Sequence, residues 1–282
     1  MSGRLAEVAT RLESTRQLGS VIAAMRAIAA SRSQRARREL DAIRLYAATI
    51  GQAIGQVLVT LPAGQARPAA STHPDGALVV ALCAEQGFAG SFNERVLDVA
   101  LPLTAGERGR LFIVGDRGLM AAANRDCTPA WNVPMAARTD EVSALADRVS
   151  DTIYAALADR GVSRVLLVHG RPGEGEEQDI AQRSLLPFDF DRFPPHPADS
   201  QAPLMNLPPA TLLEQLAVEY VHAELCEALM LSYAAENQAR MQAMIAAHGN
   251  LERTEARLAL AFQRVRQEDI TDEILELSAA RT

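Results

Sequence analysis

The stretch MQAMIAAHGNLERTEARLALAFQRV, residues 241–265, decides the fold. Met241, Met244, His248, Leu251, Glu255, Leu258, Phe262 and Val265 follow at alternating steps of three and four, and six of the eight are apolar. That period keeps one stripe on one side of an α-helix and makes the seam of a coiled coil, about three and a half heptads long. No proline interrupts the chain from Pro209 to about Ser278, so the segment reads as one helix of roughly 105 Å. The other end has the same character. From Ser2 to Leu58 there is again no proline, and Leu5, Val8, Leu12, Thr15, Gly19 and Ile22 recur at the same spacing, which predicts a helix of roughly 80 Å. Helices with one narrow stripe each cannot bury it alone. Pairing the two antiparallel, with their ends projecting past whatever lies between, is the economical solution.

What lies between reads differently. Ala77–Leu82, Leu111–Val114 and Val165–Val168 are short continuous apolar runs, with Ser184–Pro187 a short edge strand, and helices are expected over 91–101, 118–124 and 140–160. Apolar strands alternating with helices imply a small, mostly parallel sheet covered on both faces. Prolines punctuate either side of this block. The organisation expected is therefore an N-terminal helix over 1–60, a linker over 61–76, an α/β domain over 77–193, a linker over 194–208 and a C-terminal helix over 209–282. The fold class is α/β, a long antiparallel coiled coil plus a small Rossmann-like sheet.

Composition narrows the chemistry. All 28 cationic residues are arginine, so there is no lysine for a phosphate loop, a Schiff base or a general base. The net charge is −7, but residues 1–46 hold nine arginines against four acids. A basic helix of that kind suits nucleic acid, an anionic membrane or an acidic protein sleeve. Cys83, Cys127 and Cys226 are too far apart in sequence for a zinc ribbon or a redox pair and fit a reducing cytoplasm. No run of about eighteen apolar residues suggests a membrane span, and the N-terminus reads as helix from the start rather than as a signal peptide.

The candidate sites are weak. Ala84-Glu-Gln-Gly-Phe-Ala-Gly90 joins a strand to a helix where a dinucleotide fold holds phosphate, yet it is neither of the usual glycine patterns. Glu219-Tyr-Val-His222 has the spacing of a di-iron helix, but only one copy exists. Arg32-Ser-Gln-Arg-Ala-Arg37-Arg38 lacks the interleaved aromatics of a nucleic-acid surface. His248, Met241 and Met244 read as seam residues. The acidic run Asp269–Glu276 reads as a solvated helix face. No catalytic residue, cofactor or metal is expected.

The tail carries a resemblance. Ser232-Tyr-Ala-Ala-Glu-Asn-Gln-Ala-Arg-Met-Gln-Ala-Met244, with Asn250 beyond it, is similar to the pattern S-E-x-x-A-R-M-x-A-M…N of the gamma subunits of F-type ATP synthases. Arg264-Val-Arg266-Gln267-Glu-Asp-Ile270-Thr271-Asp-Glu273-Ile274 resembles their R-x-R-Q-x-x-I-T-x-E-I. More weakly, Arg11-Leu-Glu-Ser14, Ala24-Met25-Arg26, Glu85–Asn93 and Val114–Gly118 resemble further motifs of that family, in order. Two departures mark a divergent member, from an alternative ion-translocating ATPase. The family's N-T-x-K-I-T-K is here Gln17–Ala23, with two cations lost and Gly19 gained. Its D-R-G is Glu85-Gln86-Gly87, without the arginine.

The resemblance implies a non-catalytic central-stalk rotor. Its coiled coil would turn inside a ring of alpha and beta subunits and couple ion flow through the membrane c-ring to nucleotide affinity in beta. The sheet domain would lie below, with epsilon and the c-ring, at the cytoplasmic face of the bacterial inner membrane, peripherally and without insertion. By position, Met25, Arg266, Gln267, Thr271 and Glu273 would face the catalytic ring. Nucleic acid is not an expected partner. The competing readings are a stand-alone α/β enzyme with dimerising arms, which requires a pocket at Glu85–Gly90, and a coiled-coil adaptor unrelated to ATP synthases.

Overall fold

The computed structural model describes residues 3–61, 76–106, 109–158, 162–173, 179–193 and 204–279. Most of both expected linkers lies outside the described residues. The chain forms two compact units, Ser31–Ala239 and Met1–Ala30 together with Arg240–Thr282. The long helices α1 (Gly3–Thr60) and α5 (Pro209–Ala279) each contribute to both.

In the larger unit, β1 (Ala77–Leu82), β2 (Arg110–Val114), β3 (Trp131–Val133), β4 (Arg164–Arg171) and β5 (Asp179–Leu186) form one sheet in the order β3-β2-β1-β4-β5. β1 pairs parallel with β2, Val79 opposite Leu111, and with β4, Val79 opposite Leu166. β5 runs antiparallel to β4 at the edge. Successive side chains of a strand point to opposite faces, and both faces here are apolar. Leu78, Val80, Leu82, Val114 and Leu167 face α4 (Val142–Ala158) and the segments 36–40 of α1 and 221–234 of α5. Val79, Ala81, Ile113 and Val168 face α2 (Phe92–Leu103) and α3 (Asp116–Ala123).

Three details differ from the reading of the sequence. β3 was not foreseen: three residues between Pro129 and Pro134 carry no period, and the strand forms because its backbone pairs with Phe112–Val114 while Trp131 packs on Phe112 at 5.3 Å. β5 begins at Asp179 rather than Ser184, because its first half is polar and half-exposed, as an edge strand allows. The third concerns membranes. α1 holds one 18-residue window of mean hydropathy 1.2, which by length and composition could cross a bilayer. Only 17% of that window is buried; in the larger unit the same helix buries Ile54 and Val57 against Phe193 and Leu213, with Ile50 and Leu58 partly buried beside them.

The motif Val114–Gly118 has a packing purpose. Gly115 sits at φ +107, and a Cβ there would lie 2.6 Å from the Cys83 carbonyl oxygen. A Cβ on Gly118 would lie 2.6 Å from the Cys83 sulfur. The two glycines let α3 approach the end of β1 at backbone distance.

A candidate partner-binding surface

In the smaller unit, α1 and α5 pair antiparallel. Arg16 Nε donates to Glu255 at 2.8 Å and Arg4 lies 3.6 Å from Glu268. Leu5, Thr15, Ala29, Met244 and Val265 are buried along the seam, and Thr15 satisfies its hydroxyl by donating to the Arg11 carbonyl at 2.8 Å. At Gly19 the missing side chain leaves room for Leu251, whose Cδ2 would stand 3.0 Å from an added Cβ. Every heptad slot from Leu5 to Ile22 is buried or half-buried. The next slot falls on Arg26, which is exposed, and Met25 beside it is half-buried in its place.

Arg266, Gln267, Thr271 and Glu273 are all exposed on the last turns of α5. Thr271 Oγ1 donates to the Gln267 carbonyl at 2.8 Å, inside an unbroken helix. Leu260, Ile270, Ile274 and Leu275 are exposed beside them. The outer face of this helix end therefore mixes guanidinium, amide, carboxylate and apolar groups. Met25 does not join this group. In the register of Arg4–Glu268 and Arg16–Glu255 it falls level with Ala246–Ala247, roughly 30 Å of helix from Arg266.

The dinucleotide-like loop 84–90 belongs to the larger unit, and α5 fills the position a nucleotide would take. In an open α/β sheet, ligands bind at the strand ends where the connections diverge, here between β1 and β4. Ser232 of α5 sits at that point. Its Oγ donates to the Leu82 carbonyl at 2.8 Å and accepts from the Gly170 amide at 3.4 Å. A Cβ on Gly170 would meet Ala235 at 2.9 Å. The Glu236 carboxylate accepts from the amides of Glu85 and Gln86, at 3.4 and 3.5 Å. The Glu85 carboxylate accepts from Met135 and Asp116 amides, at 2.7 and 3.2 Å. Protein carboxylates thus occupy the amides that phosphate would require.

The remaining candidates resolve similarly. Glu219 accepts from the Tyr46 hydroxyl at 2.9 Å while His222 meets Asp147 at 3.0 Å, so the pair serves two different neighbours. Among the described residues no group of three potential ligands could hold a metal. In the basic run, Arg32 donates to Gln86, Arg35 to Glu39 and Arg37 to Gln238. Burial pushes the Cys83 thiol far up and the Cys226 thiol up to about 12, which makes both poor nucleophiles. Desolvation lowers the pKa of His169, buried on β4 with Nδ1 3.0 Å from the Gly170 carbonyl.

One feature could not be read from sequence. Phe88 adopts φ +64, a left-handed conformation costly for an aromatic residue, and is 65% exposed. Met120 is exposed too, with Arg117 3.4 Å from its sulfur. No local residue pattern announces a strained Phe.

Fold and surface together define a class: proteins whose two long terminal helices pair antiparallel, with a sheet inserted between them in sequence whose nucleotide crevice is closed by one of those helices. The family model described as ATP synthase matches residues 4–281, and the chain belongs to that family, among its gamma chains. It is 29% identical to the ATP synthase gamma chain of Frankia casuarinae over 98% of this chain and 96% of that one. It is 25% identical to the gamma chain of Geotalea daltonii over 97% and 96%. Its fold is similar to a chain of the rotor of the Euglena gracilis mitochondrial ATP synthase, with TM-score 0.65 at 15% identity, covering 96% of this chain and 100% of that one. It is also similar to a chain of the central stalk and c-ring of the Tetrahymena thermophila enzyme, with TM-score 0.57 at 18% identity over 80% and 99%. Family membership removes the reading as an adaptor unrelated to ATP synthases.

Proposed function

We propose that this chain is the central-stalk rotor of its ATP synthase and has no catalytic activity of its own. The observation that carries the reading is the closure of the β1/β4 crevice by Ser232 and Glu236. The scaffold that elsewhere holds a nucleotide here holds a helix. The paired helices of the smaller unit are then a shaft inside a ring of alpha and beta subunits. A shaft shifts nucleotide affinity only if it contacts the open and closed states of beta unequally. Arg266, Gln267, Thr271 and Glu273 at one level, and Met25 at another, are the contacts we assign, with guanidinium suited to carboxylates on the ring. The sheet unit sits against epsilon and the c-ring, so that ion flow drives rotation at the cytoplasmic face of the bacterial inner membrane, peripherally. No nucleic acid is involved. Affinity capture of the tagged chain from its own cells, followed by mass spectrometry, is expected to recover alpha and beta subunits in stoichiometric yield. Recovery without them, or nucleotide turnover at enzyme-like rates by the purified chain alone, would overturn the reading.

A further inference from the structure

In the larger unit, five charged side chains form a continuous chain across three segments remote in sequence. Arg44 of α1 donates to Glu227 of α5 at 2.9 Å. Glu227 also accepts from Arg183 of β5 at 3.2 Å, and Arg183 lies 3.8 Å from Glu224, one turn earlier on α5. Glu224 accepts from Arg192, in the turn Phe190–Arg192 after β5, at 2.7 Å. Glu224 keeps 4% of its side-chain exposure and Glu227 15%.

Stability gives little reason for this arrangement, since buried ion pairs replaced by apolar residues of similar volume often lose nothing. Geometry gives a better one. Around the chain the packing is mainly apolar, with Ala36, Leu40 and Leu225 on the sheet and Phe193 against Tyr220 at 4.9 Å; the hydrogen bonds of α5 to the strand ends lie further along it, at Ser232. Apolar contact resists separation but is non-directional and resists sliding weakly. A guanidinium bridging two carboxylates fixes both position and azimuth. Arg183 is the only one of the five that touches both acids, so it ties the sheet edge to α5, while Arg44 extends the tie to α1.

Building on the rotor reading, we propose that Arg183, Glu224 and Glu227 form a shear-resisting joint through which torque passes between the sheet and the two long helices. They are positioning residues. In the joint's absence the apolar contacts still assemble the unit, but the edge strand slips along α5 under load. Burial opposes ionisation of Glu227, and Arg44 and Arg183 outweigh it, holding that carboxyl below its usual range.

The test uses the complete ATP synthase in inverted membrane vesicles, with ATP hydrolysis and ATP-driven ion pumping measured on the same preparation. Their ratio is independent of how much complex assembles, because both scale with it. With Arg183→Gln, hydrolysis is expected to stay near the parent's while ions pumped per ATP fall severalfold. Glu227→Gln should act in the same direction, and Arg183→Lys, which keeps the positive charge, should recover part of the ratio. An unchanged ratio in both Gln variants overturns the joint. So does a parallel loss of both activities, which signals a lost fold rather than slippage. A parent complex that lacks this chain, or hydrolyses without pumping, overturns the rotor reading instead.

Discussion

Two parts of one helix show how differently the same backbone can be used. Residues 221–239 of α5 lie in the larger unit and are almost all buried, polar ones included: Ser232, Glu236, Asn237 and Gln238 are each at most 6% exposed. Each has somewhere to go. Ser232 serves the ends of β1 and β4, Asn237 donates to the Tyr233 carbonyl at 2.9 Å, and Gln238 donates to Gly173 at 2.9 Å. Residues 240–279 lie in the smaller unit and bury little beyond their seam, so Arg266, Gln267, Thr271 and Glu273 face outward. Two motifs that look alike as polar signatures therefore have opposite roles. One is internal wiring, where a lost partner leaves a buried group unpaired. The other is exposed surface, where substitution costs the isolated chain little.

That contrast can be broken by experiment. The largest difference is expected for leucines. Leu229→Ala, at a fully buried position, should cost about 2–5 kcal/mol, whereas Leu260→Ala, 59% exposed, should stay within about 0.5 kcal/mol. The single tryptophan, Trp131, packs on Phe112 in the sheet, so its fluorescence in a urea titration reports the larger unit, while far-ultraviolet circular dichroism followed alongside it reports the long helices in both units. Equal costs would mean that the two parts of α5 are not distinct environments.

A polar pair sharpens the same point. Ser232→Val leaves the Leu82 carbonyl and Gly170 amide without their partner and should cost about 1–3 kcal/mol. Thr271→Val, whose hydroxyl bonds only its own helix, should change stability by less than about 0.5 kcal/mol. A harmless Ser232→Val would show that the motif is not the wiring described here.

Acid should also discriminate. Because the folded-state pKa of His169 is depressed below 6.5, folding favours its neutral form. That contribution is complete above pH 6.5 and is lost as pH falls from there toward the lower folded value. Glu227 titrates below its ordinary 4.5 and affects a separate, more acidic range. Urea midpoints followed by Trp131 should drop between about pH 7.5 and about pH 5.5, and His169→Gln should flatten the drop. An identical slope in the variant would exclude His169 as its source.

The smallest effects lie in the smaller unit. Gly249→Ala meets nothing within 4 Å and should stabilise α5 by about 0.5–1 kcal/mol through helix propensity. Gly19→Ala should gain less, since Leu251 must give way. Slower amide exchange around each position would register both, and a Gly19 variant gaining as much as the Gly249 variant would show that Leu251 is not packed as described.

By itself the sequence determined what is periodic. The steps of three and four place Leu5–Ile22 and Met241–Val265 on helical seams, the apolar runs place β1, β2 and β4, and the motifs around Ser232 and Arg266 mark the family. These signals survive because each is local: a helix or buried strand writes its exposure into the spacing of its own residues. Tertiary structure alone decided the rest. Trp131–Val133 becomes a strand only because Phe112–Val114 offers an edge. Phe88 takes φ +64 only within its folded loop. Ser232 closes the crevice between β1 and β4 from 150 residues away in the chain. Contacts made across such separations leave no period in either partner, so nothing short of the folded arrangement distinguishes a serine that closes a nucleotide crevice from one on a solvated helix.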